Sequence, residues 1–168
     1  MINYKNLLKK TPDKKNLSVT LEKRDPKGVS LVATRPIKKG ETIAYYKIEV
    51  FRERDYESPT DFVYSFEVYR KNGESYKRLI SDITENSFPN PENGITYWAP
   101  FSNEPSQGQR SNSEISLDIK ENFKDRRFLS PGDIVIYRLI ATKLIRKGEE
   151  IMWYYGERYK RDYKVGKQ

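Results

Sequence analysis

The sequence contains one long segment twice. Residues 31–46, "LVATRPIKKGETIAYY", return as "LIATKLIRKGEEIMWYY" at residues 139–155. The first sixteen positions pair with nine identities at a constant offset of 108 residues (139 minus 31). In each copy two runs rich in β-branched and aromatic residues flank a charged turn, so each copy predicts a hairpin-like strand, turn and strand. Similar hairpins occur in many β proteins, so the repeat by itself constrains the fold and not the function.

The rest of the chain also favours strands. The segment "LSVTLEKR" alternates as a strand does, and "DPKG" after it is typical of a turn. A second hairpin is predicted around Asn72-Gly73, and the Pro- and Gly-containing stretch from Thr84 to Leu117 predicts a long irregular loop. Helical patterns are confined to parts of the N-terminus and to the tail after Tyr155. The sequence therefore predicts a mostly β domain with little helix.

The length of 168 residues is typical of one domain. Residues 1–16 are rich in Lys and Asn and are typical of a poorly ordered lead-in. We assign residues 17–159 to the folded domain and residues 160–168 to a basic C-terminal tail.

The chain has neither cysteine nor histidine, and this removes whole classes of chemistry. Disulfides, thiolate zinc sites, cysteine nucleophiles and imidazole bases are all excluded. Any catalysis must use Tyr, Lys, Asp, Glu, backbone groups or a cofactor. No run approaches 18 apolar residues, and the first eighteen residues lack the apolar core of a signal peptide, so we expect a soluble, intracellular protein without membrane contact.

The net charge of +8 favours acidic or nucleic-acid partners. The 32 Lys and Arg residues are scattered among 24 acidic residues rather than gathered into one block. A solvated basic surface is the plainer interpretation of this charge.

Three further motifs accompany the repeat: Gly28-Val29-Ser30 before the first copy, "PFSNEPS" between the copies, and Tyr154-Tyr155-Gly156 at the end of the second. In this order they resemble the SET-domain protein lysine methyltransferases. The family pattern opens with Gly-x-Gly and a segment similar to "GVSLVATRPIKKGETI", and it closes on one similar to "IATKLIRKGEEIMWYYG". The resemblance covers roughly residues 19–159.

The resemblance implies a fold and an activity. It implies several small β-sheets packed around a threaded, pseudoknot-like C-terminal segment, with the two repeated units in separate sheets and the final segment passing beneath the Asn-containing loop. It also implies a protein-lysine N-methyltransferase that uses S-adenosyl-L-methionine. The partner it implies is a protein substrate that carries the acceptor lysine. A histone is one candidate for this substrate, and the activity would then be histone modification.

By this resemblance Tyr155 is the catalytic residue, whose hydroxyl orients the methyl group and the acceptor amine. Tyr46 and Trp153 would line the substrate lysine channel, where the large indole should narrow the space for methyl groups. Each has a structural alternative, because a buried Tyr with a hydrogen-bonded hydroxyl is common and Tyr46 fits a packed core equally well.

The resemblance implies cofactor-binding roles for residues in two loops and at the end of the second copy. These residues are Lys27, Gly28, Val29, Asn103, Glu104 and Tyr155. A glycine permits close backbone approach to a ligand, although a plain turn also explains Gly28. Asparagine is common in irregular loops, so Asn103 gains weight only from the motif around it.

The chain departs from the family pattern at three positions. Ser30 and Ile48 replace glycines, and Glu104 replaces a histidine. No cysteines are present for a zinc cluster, so Tyr159 or Tyr163 of the tail is a candidate for covering the adenine. Two alternatives remain open: a catalytically inactive SET-fold binding module, and a basic β-rich nucleic-acid binder. We expect the protein in the nucleus or the cytoplasm.

Overall fold

The computed structural model describes residues 2–61, 63–68, 79–118 and 129–168. Seven strands in these residues form two antiparallel sheets, which confirms the mostly β prediction. The first sheet pairs β1 with β2, and the second has the order β4-β5-β3-β7-β6. The strands are β1 (Val19–Arg24), β2 (Gly28–Ala33), β3 (Thr42–Arg52), β4 (Phe66–Val68), β5 (Leu79–Asp82), β6 (Ser113–Asp118) and β7 (Ile134–Ala141).

Strand β3 is the centre of the larger sheet because it pairs with β5 on one side and β7 on the other. Its apolar residues alternate with polar ones, so one face of the strand enters the core. The buried side chains on that face are Ala44, Tyr46, Ile48 and Val50. This alternation explains why Tyr46, four residues into the strand, lies on the inner face.

The expectation that the two repeated units lie in separate sheets is wrong, because β3 of the first copy pairs with β7 of the second. The two copies also bond to each other through their turns. The Ile37 N–H donates to the Ile145 carbonyl at 2.8 Å, and the Ile145 N–H donates back at 2.9 Å. The Gly40 N–H donates to the Ala141 carbonyl and the Gly148 N–H to the Ala33 carbonyl, both at 2.8 Å. The Ala33 N–H donates to the Glu149 carbonyl and the Ala141 N–H to the Glu41 carbonyl, both at 3.0 Å. Each bond maps onto another by the 108-residue offset, so the copies are related by an approximate two-fold axis.

The same offset relates the most buried side chains of the core. Three pairs of aliphatic residues, each at most 1% exposed, pack around the junction of the two copies. They are Leu31 and Leu139, Ile37 and Ile145, and Ile43 and Ile151. The apolar identities of the repeat are therefore explained by one shared core.

The prediction of a hairpin in each copy is correct for three of the four strands and wrong in its pairing. Strands β2 and β3 form as expected, but they belong to different sheets and do not pair. The reason is that residues 34–41 bond to the second copy instead of folding β3 back on β2. In the second copy β7 forms, whereas residues 150–155 make only isolated bridges.

The second predicted hairpin is confirmed in its strands. Strands β4 and β5 pair antiparallel, with Phe66 opposite Ser81. The predicted Asn72-Gly73 turn lies outside the described residues.

Residues 150–155 thread between β2 and the loop that contains Asn103. The Ile151 N–H donates to the Leu31 carbonyl at 2.8 Å, and the Trp153 N–H donates to the Asn103 carbonyl at 3.1 Å. On a third side the Asn112 amide donates to the Glu150 carbonyl and its oxygen accepts the Met152 N–H, both at 2.8 Å. Such threading is rare in proteins.

The helical pattern at the N-terminus is confirmed, whereas the one after Tyr155 is not. Helix α1 (Tyr4–Lys10) lies within the predicted lead-in, begins after the Asn3 cap and packs Leu7 and Leu8 against the core. The helical pattern of the tail is wrong, because the chain turns at Gly156 (φ +95°) and residues 165 and 167 then form bridges to residues 106 and 110. Among the described residues, no helix combines the length and the apolar character needed to cross a membrane.

Candidate active site

An aromatic cavity of about 280 Å³ lies where the threaded segment meets β3. Its aromatic walls come from β3, β4 and the residues just before β4, the threaded segment, and the residues after Gly156. These residues are Tyr46, Tyr64, Phe66, Trp153, Tyr155, Tyr159 and Tyr163. The Trp153 and Tyr155 ring centroids are 4.8 Å apart, and the Tyr155 and Tyr159 centroids are 4.9 Å apart with an edge-on geometry. The structure therefore brings Tyr46, Trp153 and Tyr155 together around one cavity.

The hydroxyl groups of two of these tyrosines donate to backbone carbonyls. The Tyr155 hydroxyl donates to the Ser102 carbonyl at 2.7 Å, and the Tyr46 hydroxyl donates to the Tyr64 carbonyl at 2.9 Å. Burial raises the pKa of Tyr155 well above its usual value, and the neighbouring Tyr159, Tyr163 and Glu104 raise it further. Burial likewise raises the pKa of Tyr46, with Tyr155 and Tyr64 adding to the effect. Both phenols therefore stay neutral at physiological pH.

Trp153 is 8% exposed and forms one wall of this cavity. Its indole N–H is buried and has no hydrogen-bond partner among the described residues. Buried donors are normally paired, so this N–H is available to a ligand atom or a water molecule.

A second cavity, of about 400 Å³, adjoins the first. Lys27, Asn103, Tyr155 and Tyr163 line both cavities. The rest of the second cavity's wall is formed by Pro26, Glu104 and residues 105, 106 and 164. The shared walls mean that a group bound in one cavity would face a group bound in the other at Tyr155.

Four polar side chains form a cluster beside these cavities. Glu150 accepts hydrogen bonds from the Ser30 hydroxyl at 2.9 Å and the Asn103 amide at 3.1 Å. It also pairs with the Lys27 ammonium at 3.3 Å, with side chains 11% and 17% exposed. The Lys27 ammonium further approaches the Glu104 carbonyl at 3.0 Å. Ser30, which replaces a glycine of the family pattern, thus adds a buried hydroxyl to the cluster.

The Glu104 carboxylate is almost fully buried and accepts four hydrogen bonds. Its donors are Arg161 (2.7 Å from Nε and 2.5 Å from Nη2), the Tyr163 hydroxyl (2.8 Å) and the Tyr155 backbone N–H (2.7 Å). Burial alone would raise the pKa of Glu104, but the hydrogen bonds from Arg161, Tyr155 and Tyr163 outweigh it and hold this pKa below its ordinary value. The carboxylate is therefore ionised at neutral pH.

Gly28 and Val29 begin β2, next to the polar cluster. Gly28 has a φ of +82°, and a Cβ atom at this position would meet no atom within 4 Å. The Val29 carbonyl accepts the Asn103 amide at 3.2 Å. Neither residue lines the aromatic cavity or the second cavity, and their cofactor role stays a prediction.

Sequence reasoning missed three contributors to the site. Glu150 organises the polar cluster, Arg161 holds Glu104, and Ser102 supplies the carbonyl that accepts the Tyr155 hydroxyl. A signal for Glu150 existed, because it is one of the positions where the second copy departs from the first, which has Thr42 there. No group of acidic residues placed to hold a metal ion occurs within the described ranges.

Comparison with known protein families identifies one family for this chain. A family model for the SET domain matches residues 28–156. A search of curated protein sequences found no match. Among solved structures, a Plasmodium falciparum protein named a histone methyltransferase is 17% identical, with a TM-score of 0.50, and the match covers 85% of this chain and 96% of that chain.

Two other structures are similar. The methyltransferase domain of human PR domain-containing protein 2 is 22% identical with a TM-score of 0.49, over 93% of this chain and 86% of that one. ATXR5, in complex with histone H3.1 mono-methylated on R26, is 19% identical with a TM-score of 0.53, over 88% of this chain and 60% of that one. The chain shares its fold with the Plasmodium falciparum and ATXR5 structures, and the family model spans most of the sequence. The chain belongs to the SET-domain family.

Proposed function

We propose that this protein is an S-adenosyl-L-methionine-dependent methyltransferase that acts on lysine side chains of a protein substrate. One observation carries the proposal: Tyr155 stands in the wall shared by the aromatic cavity and the second cavity. A lysine side chain and a cofactor, each held in one cavity, would meet at this residue. Holding two reactants in line is the main requirement of such a transfer.

The residues present fit the cofactor. The Lys27 ammonium suits a carboxylate, and the Asn103 side-chain oxygen is an acceptor that suits an ammonium group. Gly28 and Val29 would offer backbone groups, and Glu104 would stand in the cavity wall. When bound, S-adenosyl-L-methionine supplies an electrophilic methyl group on a sulfonium cation.

Tyr155 would orient the acceptor amine rather than remove its proton. The raised pKa of Tyr155 keeps the phenol neutral, so it is no base near pH 7. Its proton is committed to the Ser102 carbonyl, which leaves hydroxyl lone pairs to accept an N–H from the amine. A free lysine has a pKa of about 10.4, and desolvation in an aromatic channel favours loss of its proton.

Tyr46 and Trp153 would form the channel walls around the acceptor lysine. Both are buried, and Phe66 contacts both rings, with centroids 5.1 Å from Tyr46 and 6.1 Å from Trp153. The unpartnered Trp153 N–H offers a donor to a water molecule in the channel.

The decisive experiment incubates the protein with radiolabelled S-adenosyl-L-methionine, a panel of histones and cell lysates, and identifies labelled residues by mass spectrometry. Histones are included because the similar ATXR5 structure contains histone H3.1. We expect label on lysine side chains, and no label with Tyr155→Phe. A histone substrate would place the protein in the nucleus, whereas another acceptor would leave the cytoplasm open.

Absence of label, together with no S-adenosyl-L-methionine binding in isothermal titration, would favour a binding module that kept the fold without catalysis. The departures at Ile48 and Glu104 motivate this alternative. Ile48 lies in the core, 1% exposed, and Glu104 is held by Arg161, so neither departure leaves a gap in the fold.

A nucleic-acid partner is a second candidate, and exposed cations in the matched turns support it. The turns of both copies, which bond to each other, carry these cations. They are Arg35, Lys38, Lys39, Lys143, Arg146 and Lys147. Binding of duplex DNA or RNA that weakens steeply with salt, by a slope of about 0.9 per phosphate contact, would support this partner. Salt-independent or absent binding would remove it.

A further inference from the structure

We infer that Glu104 and Arg161 form a clamp that holds the C-terminal tail against the site, and that Glu104 is a positioning residue for Tyr155. In the structure the C-terminal tail begins earlier than residue 160, at the turn of Gly156, and from here on it means residues 156–168. All of these except Gly156 lie beyond the end of the family-model match. The part of the inference that concerns Tyr155 rests on the proposed function. The part that concerns the tail does not.

The tail returns to the loop that follows Asn103. The Gly166 N–H donates to the Pro105 carbonyl at 2.7 Å, and the Lys167 N–H donates to the Gln109 carbonyl at 3.0 Å. A Cβ atom on Gly166 would overlap the carbonyl oxygens of Ser106 and Gln109. The close approach at Gly166 shows that the end of the tail is fitted to this loop and does not merely cross the surface.

Arg161 is the centre of the tail's attachment. Besides its two bonds to Glu104, its guanidinium donates to the Gly156 carbonyl at 2.7 Å and the Tyr159 carbonyl at 2.9 Å. It also lies 5.1 Å from the Tyr154 ring centroid and 5.3 Å from that of Tyr159. The Arg161 side chain is 11% exposed and that of Glu104 is 1% exposed. A planar fork with five donors suits this set of acceptors, which a lysine could not satisfy.

The clamp reaches the reacting part of the site through one atom. Glu104 Oε1 accepts both Arg161 Nη2 and the backbone N–H of Tyr155. The tail also supplies Tyr159 and Tyr163 to the walls of the aromatic cavity. Breaking the ion pair should therefore release two walls and the backbone of Tyr155 together.

The first experiment measures hydrogen–deuterium exchange of the tail in wild type, Glu104→Gln, Arg161→Gln and the double variant. We expect exchange in residues 156–163 to rise about ten-fold or more in each single variant. The double variant should exchange no faster than the singles, because the two side chains act on one contact. The control is Arg35→Gln, which breaks the exposed Arg35–Glu41 pair and should leave the tail unchanged. Unchanged tail exchange in the single variants would overturn the clamp.

The second experiment measures kcat and KM of methyl transfer in the same folded variants. A displaced Tyr155 should lower kcat by about ten-fold or more with a smaller change in the KM for the acceptor protein. Arg161→Lys keeps the charge and loses the fork, so it should restore only part of the rate. Equal loss in kcat and in the folded fraction would mean that Glu104 is merely structural.

Gly166→Ala separates the clamp from the rest of the tail. It should raise exchange at residues 165–168 only and leave kcat near the wild-type value. A loss of kcat as large as that of Glu104→Gln would assign the effect to the whole tail and overturn the role of Glu104. Should Glu104→Gln fail to fold, Arg161→Lys and Gly166→Ala give the same comparison. A wild-type protein without methyl transfer would refute the proposed function, while tail exchange would still decide the clamp.

Discussion

The two copies of the repeat have similar turns and then diverge. After the first turn the chain continues into β3, an eleven-residue strand with a paired strand on each side. After the second turn it enters the threaded segment, which has only isolated bridges. The turns themselves share their hydrogen bonds, including the Glu41 and Glu149 carboxylates that accept the N–H groups of Lys38 and Arg146 at 2.7 and 2.8 Å.

This difference separates the residues that form the fold from those that form the site. Positions that match between copies, such as Ile43 and Ile151, are buried in the shared core. Positions that diverge include Tyr45 and Trp153, and the divergent residue of the second copy lines the aromatic cavity. The matched positions therefore form the junction of the two copies, and the divergent Trp153 contributes to the candidate site.

The largest effect is expected from Tyr155→Phe, compared with Tyr154→Phe in the adjacent position. Tyr154 corresponds to Tyr46 by the 108-residue offset. Loss of the Tyr155 hydroxyl keeps the ring and its packing but removes an interaction made chiefly at the transition state, so kcat should fall roughly 10²-fold or more with little change in KM. Tyr154→Phe should retain most activity. Steady-state kinetics of the two folded variants makes the comparison.

The same kinetic measurement, repeated over a range of pH, tests which group loses a proton. The rate should rise as the acceptor lysine loses its proton, without a titration near pH 6.5, since the chain has no histidine. Because the pKa of Tyr155 is raised, Tyr155 should stay protonated even at a pH where a free tyrosine ionises, and its ionisation should not affect the rate. Wild-type rates in Tyr155→Phe would remove Tyr155 from the mechanism.

The next effect concerns Asn103, which links the start of β2 to the second copy. Asn103→Ala should weaken S-adenosyl-L-methionine binding by about 1–3 kcal/mol, because it removes a buried polar contact. Isothermal titration measures the affinity. Ser30→Ala perturbs the same polar cluster without removing the proposed contact and serves as the control. Equal affinity of folded Asn103→Ala and wild type would contradict the assignment.

The turn glycines test the two-fold relation directly. Gly40 and Gly148 have φ angles of +87° and +85°, and no atom lies within 4 Å of a Cβ built on either. Replacing each by alanine should lower the free energy of unfolding by about 1–2 kcal/mol, from backbone strain alone. Urea denaturation of both variants should give nearly equal losses. A clear inequality would show that the copies carry the fold unequally.

The smallest effect is expected at Trp153. Trp153→Phe or Trp153→Ala should enlarge the channel and shift the products toward higher methylation states. The indole N–H has no partner in the described residues, so the phenylalanine variant loses no hydrogen bond of the fold. Mass spectrometry of the product, with Tyr45→Phe as the matched change in the first copy, measures the shift. Identical product ratios in all variants would mean that Trp153 does not limit the channel.

The sequence predicted the strands better than their partners. The apolar periodicity of β1, β2, β3 and β7 is a local signal and was sufficient to find them. The pairing of β3 with β7 depends on contacts across about a hundred residues, which no local pattern encodes. The resemblance, not the periodicity, indicated the threaded segment.

The sequence also indicated part of the candidate site and missed another part. Tyr46, Trp153, Tyr155 and Asn103 meet at the cavities, as the motif implied. Arg161 could not be found, because its role depends on the tail turning back at Gly156, and nothing in a Lys- and Arg-rich tail distinguishes one cation from the others.

The bonds between the copies also determine when the protein can fold during synthesis. The N–H groups and apolar side chains of the first copy find their partners only after residues 139–151 have left the ribosome. Until then the Ile37 and Ile43 side chains lack most of their core, and the Lys27–Glu150 pair must close over 123 residues. Contacts this distant slow folding, because the entropy of loop closure is lost before they form. A nascent chain of this protein should therefore complete its core only after its second copy has been synthesised.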